Sequence, residues 1–369
     1  MLKIKELLSR LIIFLVIMVI THNLLGQIRI KDENIKPGKE WKDIKGDPIQ
    51  AHMGCVLYDN GTYYWYGMRW TGPTLPPNTL SNQNFQWLIN EGISIYSSKN
   101  LYEWKFEDTV LKANYSSSSL LQPLNGLFRP KVIKNDKTGK YILMAALISP
   151  DYNIYNDIIY AVSERPTGPF EFKGKLLWHC SSNISGMWNN VWPVAVNDPP
   201  ERIRGWDMTL FKDSDNKAYL IVSHDISLIY ELSDDYQSVV KCEIMHGTKG
   251  GEAPVMFKHR GMYYFVQSGL SGWNPNSNFY CVSSSIDGPW ENKGTFARGT
   301  KENTTFDSQV NFVLNLEENH DDLIFMADRF NLKFLNQSTY IWLPIEFNVE
   351  KHTMSVKWQK QWNINKLSK

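Results

Sequence analysis

A pattern of short β-hairpins recurs along the chain from Ala51 onward and constrains the fold more than any other feature. In each case an apolar strand is followed by a turn containing Gly, Asn or Asp and then by an aromatic-rich strand. The five predicted hairpins are 55–66, 131–144, 208–222, 255–266 and 311–326. Regularly repeated hairpins of this kind are typical of propeller blades. The sequence therefore predicts an all-β, five-bladed β-propeller.

Further apolar segments, each followed by Gly, Pro and an aromatic residue, supply the outer strands. This Gly-Pro-aromatic motif occurs at Gly168–Phe170 and at Gly288–Trp290. Beyond the N-terminal segment the sequence has no sustained helical periodicity, so few helices are expected. A β-sandwich and a jelly roll are the alternatives, and the internal repeat favours the propeller. Long polar stretches at 71–86 and 114–126 are predicted to be loops on one face of the scaffold.

The N-terminal segment resembles a secretory signal peptide. Three basic residues precede the apolar run 11–20, and a small residue, Gly26, closes the segment. The run is shorter than the roughly 20 residues of a membrane span, so we expect cleavage and no stable membrane insertion; an uncleaved anchor is the alternative. We predict a signal peptide at 1–26, a single propeller domain at 27–369, and a secreted or periplasmic protein.

The charge composition argues against a nucleic-acid partner. The chain has 39 basic and 38 acidic residues, a formal net charge of +1, and so lacks the basic excess that binds phosphates. Aromatic residues make up 13% of the sequence, which suits both a propeller core and platforms that stack on sugar rings. The sequence has no spacing typical of a metal site, and we predict neither a metal nor a cofactor.

The sites of propellers lie at the central channel, near the start of each innermost strand, so the residues that precede the predicted hairpins are the candidate site residues. The residues found there are His52, Phe128–Arg129, Asp207, Glu252 and Asp307–Gln309. Two of them, Asp207 and Glu252, are carboxylates on different blades. Hydrolysis of a glycosidic bond uses a pair of carboxyl groups, one of which must stay protonated at the working pH. The pattern therefore indicates a carbohydrate site.

Six motifs in one order resemble glycoside hydrolase family 43, and most of all its exo-β-1,3-galactanase branch. They are Gln50–Gly54, Tyr63–Gly67, Arg129–Val132, Asp207–Phe211, Gly251–Pro254 and Ser308–Gln309. The similarity covers nearly the whole chain after the N-terminal segment. It implies an exo-acting, inverting glycoside hydrolase on a plant-type or host oligosaccharide or polysaccharide, with galactan or arabinogalactan side chains as the expected substrate.

The resemblance also implies roles for individual residues. Glu252 matches the general acid, and Asp207 matches the carboxylate that raises the pKa of this acid and orients it. In most of the family an Asp on blade 1 acts as the general base, and His52 stands at that position here. The galactanase branch also lacks this Asp. In that branch a glutamine matching Gln309 holds the attacking water. The predicted substrate contacts are His52, Trp65, Met68, Phe128, Arg129, Trp273 and Asn274.

Each of these roles has a structural alternative. His52 could be a structural histidine, Gln309 could bind backbone groups, and Trp273 with Asn274 could form a packed turn. Asp207 could cap a strand, and Glu252 could belong to a turn after two glycines.

The chain departs from the galactanase pattern at three positions. Met68 and Phe128 replace two glutamates, and Trp206 stands where an arginine is usual. A buried hydroxyl group without a partner costs about 1–3 kcal/mol, so sugar hydroxyls facing Met68 and Phe128 should bind poorly. We expect either a substrate with an apolar or deoxy edge or a propeller that binds carbohydrate without hydrolysing it. A family 43 arabinosidase or xylosidase is a third hypothesis, disfavoured by the missing blade 1 Asp.

Overall fold

The computed structural model of the protein describes residues 34–77, 79, 87–150, 157–176, 207–316 and 321–367. The strands form five sheets within the unit Ile35–Lys369. The predicted signal peptide at 1–26 and Trp206 lie outside the described residues. Helical structure in the described ranges is confined to short 3-10 segments at Glu302–Thr304, Leu335–Gln337 and Ile364–Lys366.

The five sheets are the blades of a propeller, and in blades 1 to 4 the innermost strand comes first in the chain. Blade 1 consists of β1 (His52–Asp59), β2 (Thr62–Leu75), β3 (Trp87–Ser98) and β4 (Lys105–Val110). Blade 2 consists of β5 (Gly126–Lys134), β6 (Tyr141–Ile148), β7 (Asp157–Ser163) and β8 (Glu171–Lys175). Blade 3 consists of β9 (Asp207–Lys212), β10 (Ala218–Ser223), β11 (Ser227–Leu232) and β12 (Val239–Ile244).

Blades 4 and 5 complete the ring. Blade 4 consists of β13 (Glu252–His259), β14 (Met262–Ser268), β15 (Phe279–Ser283) and β16 (Glu291–Thr295). Blade 5 consists of β18 (Gln309–Asn315), β19 (Leu323–Arg329), β20 (Thr339–Asn348), β21 (Thr353–Lys357) and β17 (Ala297–Arg298). Strand β17 pairs in parallel with β21, whereas the other pairs are antiparallel. The predicted five-bladed propeller is confirmed.

The five innermost strands form a closed ring. Each of β1, β5, β9 and β13 contacts the next innermost strand in the chain, and β18 contacts β1. Because all five strands run in the same sense from the channel entrance, the residues that open them meet around one central channel. The ring therefore gathers side chains that are far apart in sequence.

Local turn chemistry explains why the predicted hairpins form. The turn between β1 and β2 has Asn60 and Gly61 at φ 48° and 72°, and the turn between β13 and β14 has Arg260 and Gly261 at φ 47° and 81°. Two successive residues with positive φ define the tight turn that matches the twist of a β-hairpin. The register Asp59↔Thr62 is set by the first of these turns.

Apolar layers and buried polar links hold neighbouring blades together. Aromatic rings of blades 1 and 5 pack against each other, with Trp65 and Trp342 at a centroid distance of 4.9 Å. A polar link joins blades 3 and 4, where the Asp213 carboxylate accepts hydrogen bonds from Lys258 Nζ, at 2.8 Å, and from the Tyr263 hydroxyl. Loss of Lys258 would leave the Asp213 charge buried without its cation, so the two blades depend on this pair being intact.

Two local predictions need correction. The segment 71–75, predicted to be part of a loop, continues β2, because Thr71 pairs with Ile89 and Leu75 pairs with Trp87 of β3. The Gly-Pro-aromatic motifs lie in the connections that precede β8 and β16 rather than within these strands. The segment 114–125 lies between β4 and β5, as predicted for a loop. None of the helices in the described ranges is long and apolar enough to cross a membrane.

Candidate active site

A cavity of about 330 Å³ opens where the five innermost strands begin. Each innermost strand contributes to its lining, through Met53, Phe128 with Arg129, Asp207, Glu252 and Gln309. The remaining lining residues are Trp87, Ile148, His224, Ser271, Gly272, Trp273 and Asn274. The cavity thus has a side rich in charged and amide groups and a side rich in aromatic and aliphatic groups.

The same backbone feature recurs where three innermost strands meet the cavity. Met53, Arg129 and Ala253 have φ of 55°, 54° and 54°, a left-handed conformation that is uncommon for residues other than glycine. Each lies at a register shift in its strand pair, as expected for a β-bulge that re-aims a side chain. The residues that directly precede them are His52, Phe128 and Glu252, which are therefore equivalent positions of blades 1, 2 and 4.

Glu252 presents a carboxyl group to the cavity that is stabilised in its protonated form. Burial, and then the negative charge of Asp207, raise the pKa of Glu252 to about 7, against the opposing effect of the Arg129 charge. The carboxyl oxygen Oε2 accepts hydrogen bonds from the main-chain N–H of Gly272 at 3.0 Å and of Ser271 at 3.4 Å. A carboxyl group with a pKa near neutrality is suited to donate a proton as a general acid.

The Asp207 carboxylate is held by the guanidinium group of Arg129 and by a main-chain N–H group. Its Oδ2 is 3.1 Å from Arg129 Nη2 and accepts a hydrogen bond of 2.7 Å from the N–H of Ala253. Because Ala253 follows Glu252 in β13, this bond ties the position of the second carboxylate to the strand that carries the acid. The arrangement fits the predicted role of Asp207, to raise the pKa of Glu252 and to orient it.

Arg129 and Ser268 fix the side-chain amide of Gln309. Arg129 Nη2 donates to Gln309 Oε1, while Gln309 Nε2 donates to Ser268 Oγ at 2.8 Å and to Glu252 Oε2 at 3.2 Å. Arg129 is 2% exposed and also donates to Asn311 Oδ1 at 2.9 Å. The guanidinium group therefore links the groups supplied by blades 2, 3 and 5, and a hydrogen bond connects Gln309 directly to the acid.

His52 does not reach the cavity. Its ring is 0% exposed and is stacked between Trp70, at a centroid distance of 4.3 Å, and Tyr340, at 5.4 Å. Neither ring nitrogen has a hydrogen-bond partner among the described residues. Burial lowers the pKa of His52 to about 3, so the imidazole is neutral at physiological pH. The expectation of a direct sugar contact is corrected, and His52 is a structural histidine between aromatic rings.

Trp65 and Met68 are also absent from the cavity lining, which corrects their predicted role as substrate contacts. Trp65 is 1% exposed and packs on Trp104 at 5.2 Å and Tyr340 at 4.6 Å, because its side of β2 faces blade 5. Met68 is 0% exposed and pairs in register with His52. Both side chains belong to the buried hydrophobic core of the propeller.

Phe128, Trp273 and Asn274 line the cavity, and their contact with a substrate stays a prediction. The Phe128 ring lies 5.7 Å from Trp273 and 5.8 Å from Trp87. Trp87 also lines the cavity but is not among the predicted substrate contacts. Its position directly after a long polar stretch is the feature of the sequence that could have indicated it. Phe128, Trp87 and Trp273 form an aromatic wall, the name used below for these three residues.

Other lining residues were missed because their position depends on the assembled ring. Met53 and Ile148 present apolar surface, and His224 lies beyond the end of β10 with its Nδ1 2.9 Å from Asp225 Oδ2. Ser271 and Gly272 supply main-chain N–H groups to Glu252, a role that side-chain chemistry in a sequence does not reveal. In the described ranges, no three His, Cys, Asp or Glu side chains lie close enough together to hold a metal ion.

Two buried ionisable groups hold the main chain of Met53. Asp328 Oδ2 accepts a hydrogen bond of 2.5 Å from the Met53 N–H, and Lys131 Nζ donates to the Met53 carbonyl at 2.9 Å. Burial raises the pKa of Asp328 to about 6 and lowers that of Lys131 to about 7. These contacts stabilise the left-handed conformation at the entrance of β1 and join blades 1, 2 and 5.

The fold and the site together define a class: propellers whose central cavity holds a pair of carboxyl groups, one of them neutral, as glycosidic bond cleavage requires. Residues 54–341 match the family described as glycosyl hydrolases family 43. The chain belongs to family 43 of the glycosyl hydrolases. Sequence comparison with curated proteins gives no significant match.

Solved structures support both the family and the branch predicted from the motifs. A family 43 β-1,3-galactosidase with galactodeoxynojirimycin is 30% identical, with a TM-score of 0.76, over 89% of this chain and 100% of that one. Another β-1,3-galactosidase of the family is 30% identical, with a TM-score of 0.73, over 90% of this chain and only 64% of that one.

The exo-β-1,3-galactanase of Phanerochaete chrysosporium, solved with β-1,3-galactotriose, is also similar. It is 26% identical, with a TM-score of 0.70, over 90% of this chain and 68% of that one. The present chain thus spans about two thirds of this relative and of the second galactosidase.

Proposed function

We propose that the protein is an exo-acting glycoside hydrolase that releases sugar from a galactose-containing plant-type or host glycan with inversion of configuration. The observation that carries this proposal is the Glu252 carboxyl group, whose pKa is raised to about 7 at the wall of the cavity. Relatives described as β-1,3-galactosidases and exo-β-1,3-galactanases support the choice of galactan or arabinogalactan side chains as substrate.

In the proposed reaction Glu252 transfers its proton to the glycosidic oxygen while the bond between this oxygen and the anomeric carbon breaks. The oxygen of a water molecule forms the new bond to the anomeric carbon from the opposite face of the ring. The proton that this water loses passes to the solvent, and Glu252 recovers a proton from the solvent before the next cycle. Atoms and charges then balance over one turnover.

Inversion is supported by the state of the second carboxylate. Asp207 is ion-paired with Arg129 and hydrogen-bonded by the Ala253 N–H, which makes its oxygen a poor nucleophile. A single displacement by water is the pathway that needs no covalent intermediate on Asp207. Gln309 is proposed to hold that water. Because its Nε2 donates to Glu252 Oε2 at 3.2 Å and the water must lie on the face of the ring opposite to the acid, this role requires the Gln309 amide to release Glu252 when the sugar enters.

The experiment is incubation of the purified protein with β-1,3-galactooligosaccharides, arabinogalactan and a panel of host glycans, with products followed by NMR. We expect release of a monosaccharide whose first-formed anomer is opposite to that of the substrate linkage. Release of longer products would contradict the exo mode, and retention of the anomer would contradict the proposed role of water.

A carbohydrate-binding propeller without catalysis is the second candidate function. Its supporting observation is that His52, at the blade 1 position equivalent to Glu252, is buried and neutral, so the described residues of blade 1 supply no basic group to the cavity. Tight oligosaccharide binding with no monosaccharide released over days would favour this candidate over the first.

We also propose that the protein is exported to the periplasm or the medium. The support is in the sequence, where Lys3, Lys5 and Arg10 precede the apolar run 11–20. N-terminal sequencing of the protein isolated from the producing cells should give a start near Gln27. Recovery of Met1 at the N-terminus of the mature protein would contradict cleavage.

A further inference from the structure

We propose that the sugar bound in the cavity is a 6-deoxyhexopyranoside, and that Phe128 determines this specificity by contacting the methyl group at C5. The inference rests on the proposed function, because it names the substrate class of the same site. Its basis is the aromatic wall and the hydrogen bonds that its neighbours already make.

Phe128 replaces a charged group by a rigid apolar surface. Its position in blade 2 is equivalent to that of Glu252 in blade 4, since each precedes a left-handed residue at a register shift. Where Glu252 offers the cavity a carboxyl group, Phe128 offers a ring that is 6% exposed. The two equivalent positions therefore present groups of opposite polarity to the cavity.

The aromatic wall has little freedom to move away from a ligand. Phe128 packs edge-on against Trp87, with 68° between the ring planes, and lies 5.7 Å from Trp273. Trp87 and Trp273 are 1% and 9% exposed. A Cβ atom on Gly126 would lie 2.2 Å from Phe128 Cε2, so the absence of a side chain at Gly126 is what admits the ring at this place.

Two of the residues at the wall, Trp87 and Met53, already have hydrogen-bond partners for their polar groups. The indole N–H of Trp87 donates to the Leu124 carbonyl at 2.8 Å. The N–H of Met53 is bound to Asp328 and its carbonyl to Lys131. A hydroxyl group of a sugar placed against the face of the Phe128 ring meets no hydrogen-bonding group of that side chain, whereas a methyl group would bury apolar surface there.

In the proposed orientation the C5 edge of the sugar meets the wall. The anomeric carbon lies at Glu252, where the leaving oxygen receives its proton. The hydroxyl groups at C2, C3 and C4 then face the charged and amide groups of the cavity, and the substituent at C5, an exocyclic carbon in an aldohexopyranose, faces Phe128. Replacing CH₂OH by CH₃ at C5 makes that edge apolar without changing the ring stereochemistry, which matches the shape and polarity of the wall.

The test uses three 4-nitrophenyl glycosides that differ only at C5: β-D-galactopyranoside with CH₂OH, β-D-fucopyranoside with CH₃, and α-L-arabinopyranoside with H. For the wild-type protein we expect kcat/KM to be about 10-fold or more higher for the fucoside than for the galactoside. The arabinoside should lie between them, because it removes the unpaired hydroxyl group but offers no methyl contact.

Two variants separate polarity from size. Phe128→Gln should reduce the fucoside-to-galactoside ratio of kcat/KM toward 1, because its amide can pair with the C6 hydroxyl group. Phe128→Leu, which keeps an apolar side chain, should preserve the preference for the fucoside. Circular dichroism spectra and melting temperatures establish that both variants are folded.

The outcomes distinguish this inference from the proposed function. Hydrolysis of the galactoside at least as fast as the fucoside, or a ratio unchanged in Phe128→Gln, overturns the inference and leaves the glycosidase intact. If the folded wild-type protein hydrolyses none of the three but releases a monosaccharide from the glycan panel, the inference is overturned and the hydrolase stands. If it is inactive in both assays, the proposed hydrolase is contradicted. Calorimetric titration with free D-fucose and D-galactose then decides the specificity: tighter binding of D-fucose supports it, and equal or weaker binding refutes it.

Discussion

Glu252 of blade 4 and His52 of blade 1 occupy equivalent positions, yet only one of them meets the cavity. Both precede a residue with φ near 55°, and both lie at a register shift with the second strand of the blade. Glu252 lines the cavity, whereas His52 is enclosed between Trp70 and Tyr340. The backbone therefore places the two side chains at equivalent positions, and the neighbouring aromatic rings determine whether the side chain reaches the cavity.

Burial has opposite effects on the two pKa values and the same effect on charge. It raises the pKa of Glu252 to about 7 and lowers that of His52 to about 3, because a low-dielectric environment disfavours the ionised form of either group. At pH 7 His52 is therefore uncharged, and about half of the Glu252 carboxyl groups are protonated. What separates a proton donor from a structural ring is access to the cavity, and variants at these positions test that distinction.

The largest effect is expected for Glu252→Gln. The amide keeps the shape of the side chain but cannot supply the proton, so kcat should fall by roughly 10²- to 10⁴-fold. Steady-state kinetics on the substrate identified by NMR measures this effect. An unchanged kcat in the folded variant would show that the acid lies elsewhere.

The matched change at the equivalent position is His52→Phe. A phenyl ring can keep the stacking on Trp70 and Tyr340, and kcat/KM should stay within about threefold of wild type because nothing polar is lost from the cavity. Loss of activity in a His52→Phe protein of normal stability would place chemistry on blade 1 and remove the contrast between the two positions.

Asp207→Asn should displace the pH profile. Since the negative charge of Asp207 helps to raise the pKa of Glu252, its removal lets Glu252 ionise at lower pH, and the alkaline limb of kcat/KM moves to lower pH. Activity at pH 7 should fall by about 10-fold. Asp213→Asn is the control, because Asp213 is similarly buried, at 8% against 9% exposure, but lies in the link between blades 3 and 4. A shared shift in both variants would argue against direct coupling of Asp207 to the acid.

A smaller effect concerns stability in acid. Between pH 6.5 and 3 the unfolded chain protonates His52 while the folded protein does not, so this group makes the free energy of unfolding fall as pH falls. From pH 6.5 to 5 the loss is about 2 kcal/mol. Glu252 and Asp328, whose pKa values are raised, act in the opposite direction over this range but do so in both proteins. Urea unfolding at the two pH values should therefore show a change in the wild-type protein that is less favourable by about 2 kcal/mol than the change in His52→Phe. Equal changes in both proteins would mean that His52 is protonated in the folded state.

The smallest effect is expected for Ser268→Ala. The Ser268 hydroxyl accepts a hydrogen bond from Gln309 Nε2, and losing one such bond costs about 1 kcal/mol, or roughly fivefold in kcat. The melting temperature should change little. Full activity in this variant would indicate that Arg129 alone is sufficient to orient Gln309.

The fold could be predicted because its information is local. Turn residues such as Asn60 and Gly61, together with alternating strands, identify each hairpin within a few residues of sequence. The extension of β2 through Thr71 to Leu75 could not be found in this way, because those residues are held by pairing with β3 and their own composition is that of a loop.

The site was predictable only in part for a related reason. Asp207, Glu252 and Gln309 each open an innermost strand, so the repeat alone brings them together. His52 and Trp65 were assigned to the cavity because their motif positions suggested it, but Tyr340 and Trp342 of the last blade enclose them. Such contacts between distant segments are not visible in a single sequence.

The closed ring has a consequence for the order in which the protein matures. Arg129 binds Gln309 across 180 positions of the chain, and Met53 binds Asp328 across 275. During synthesis the first four blades can therefore form their local hairpins while the cavity still has no wall on one side. High contact order makes such a final step slow, so recovery of substrate binding after dilution from denaturant should lag behind recovery of β-structure.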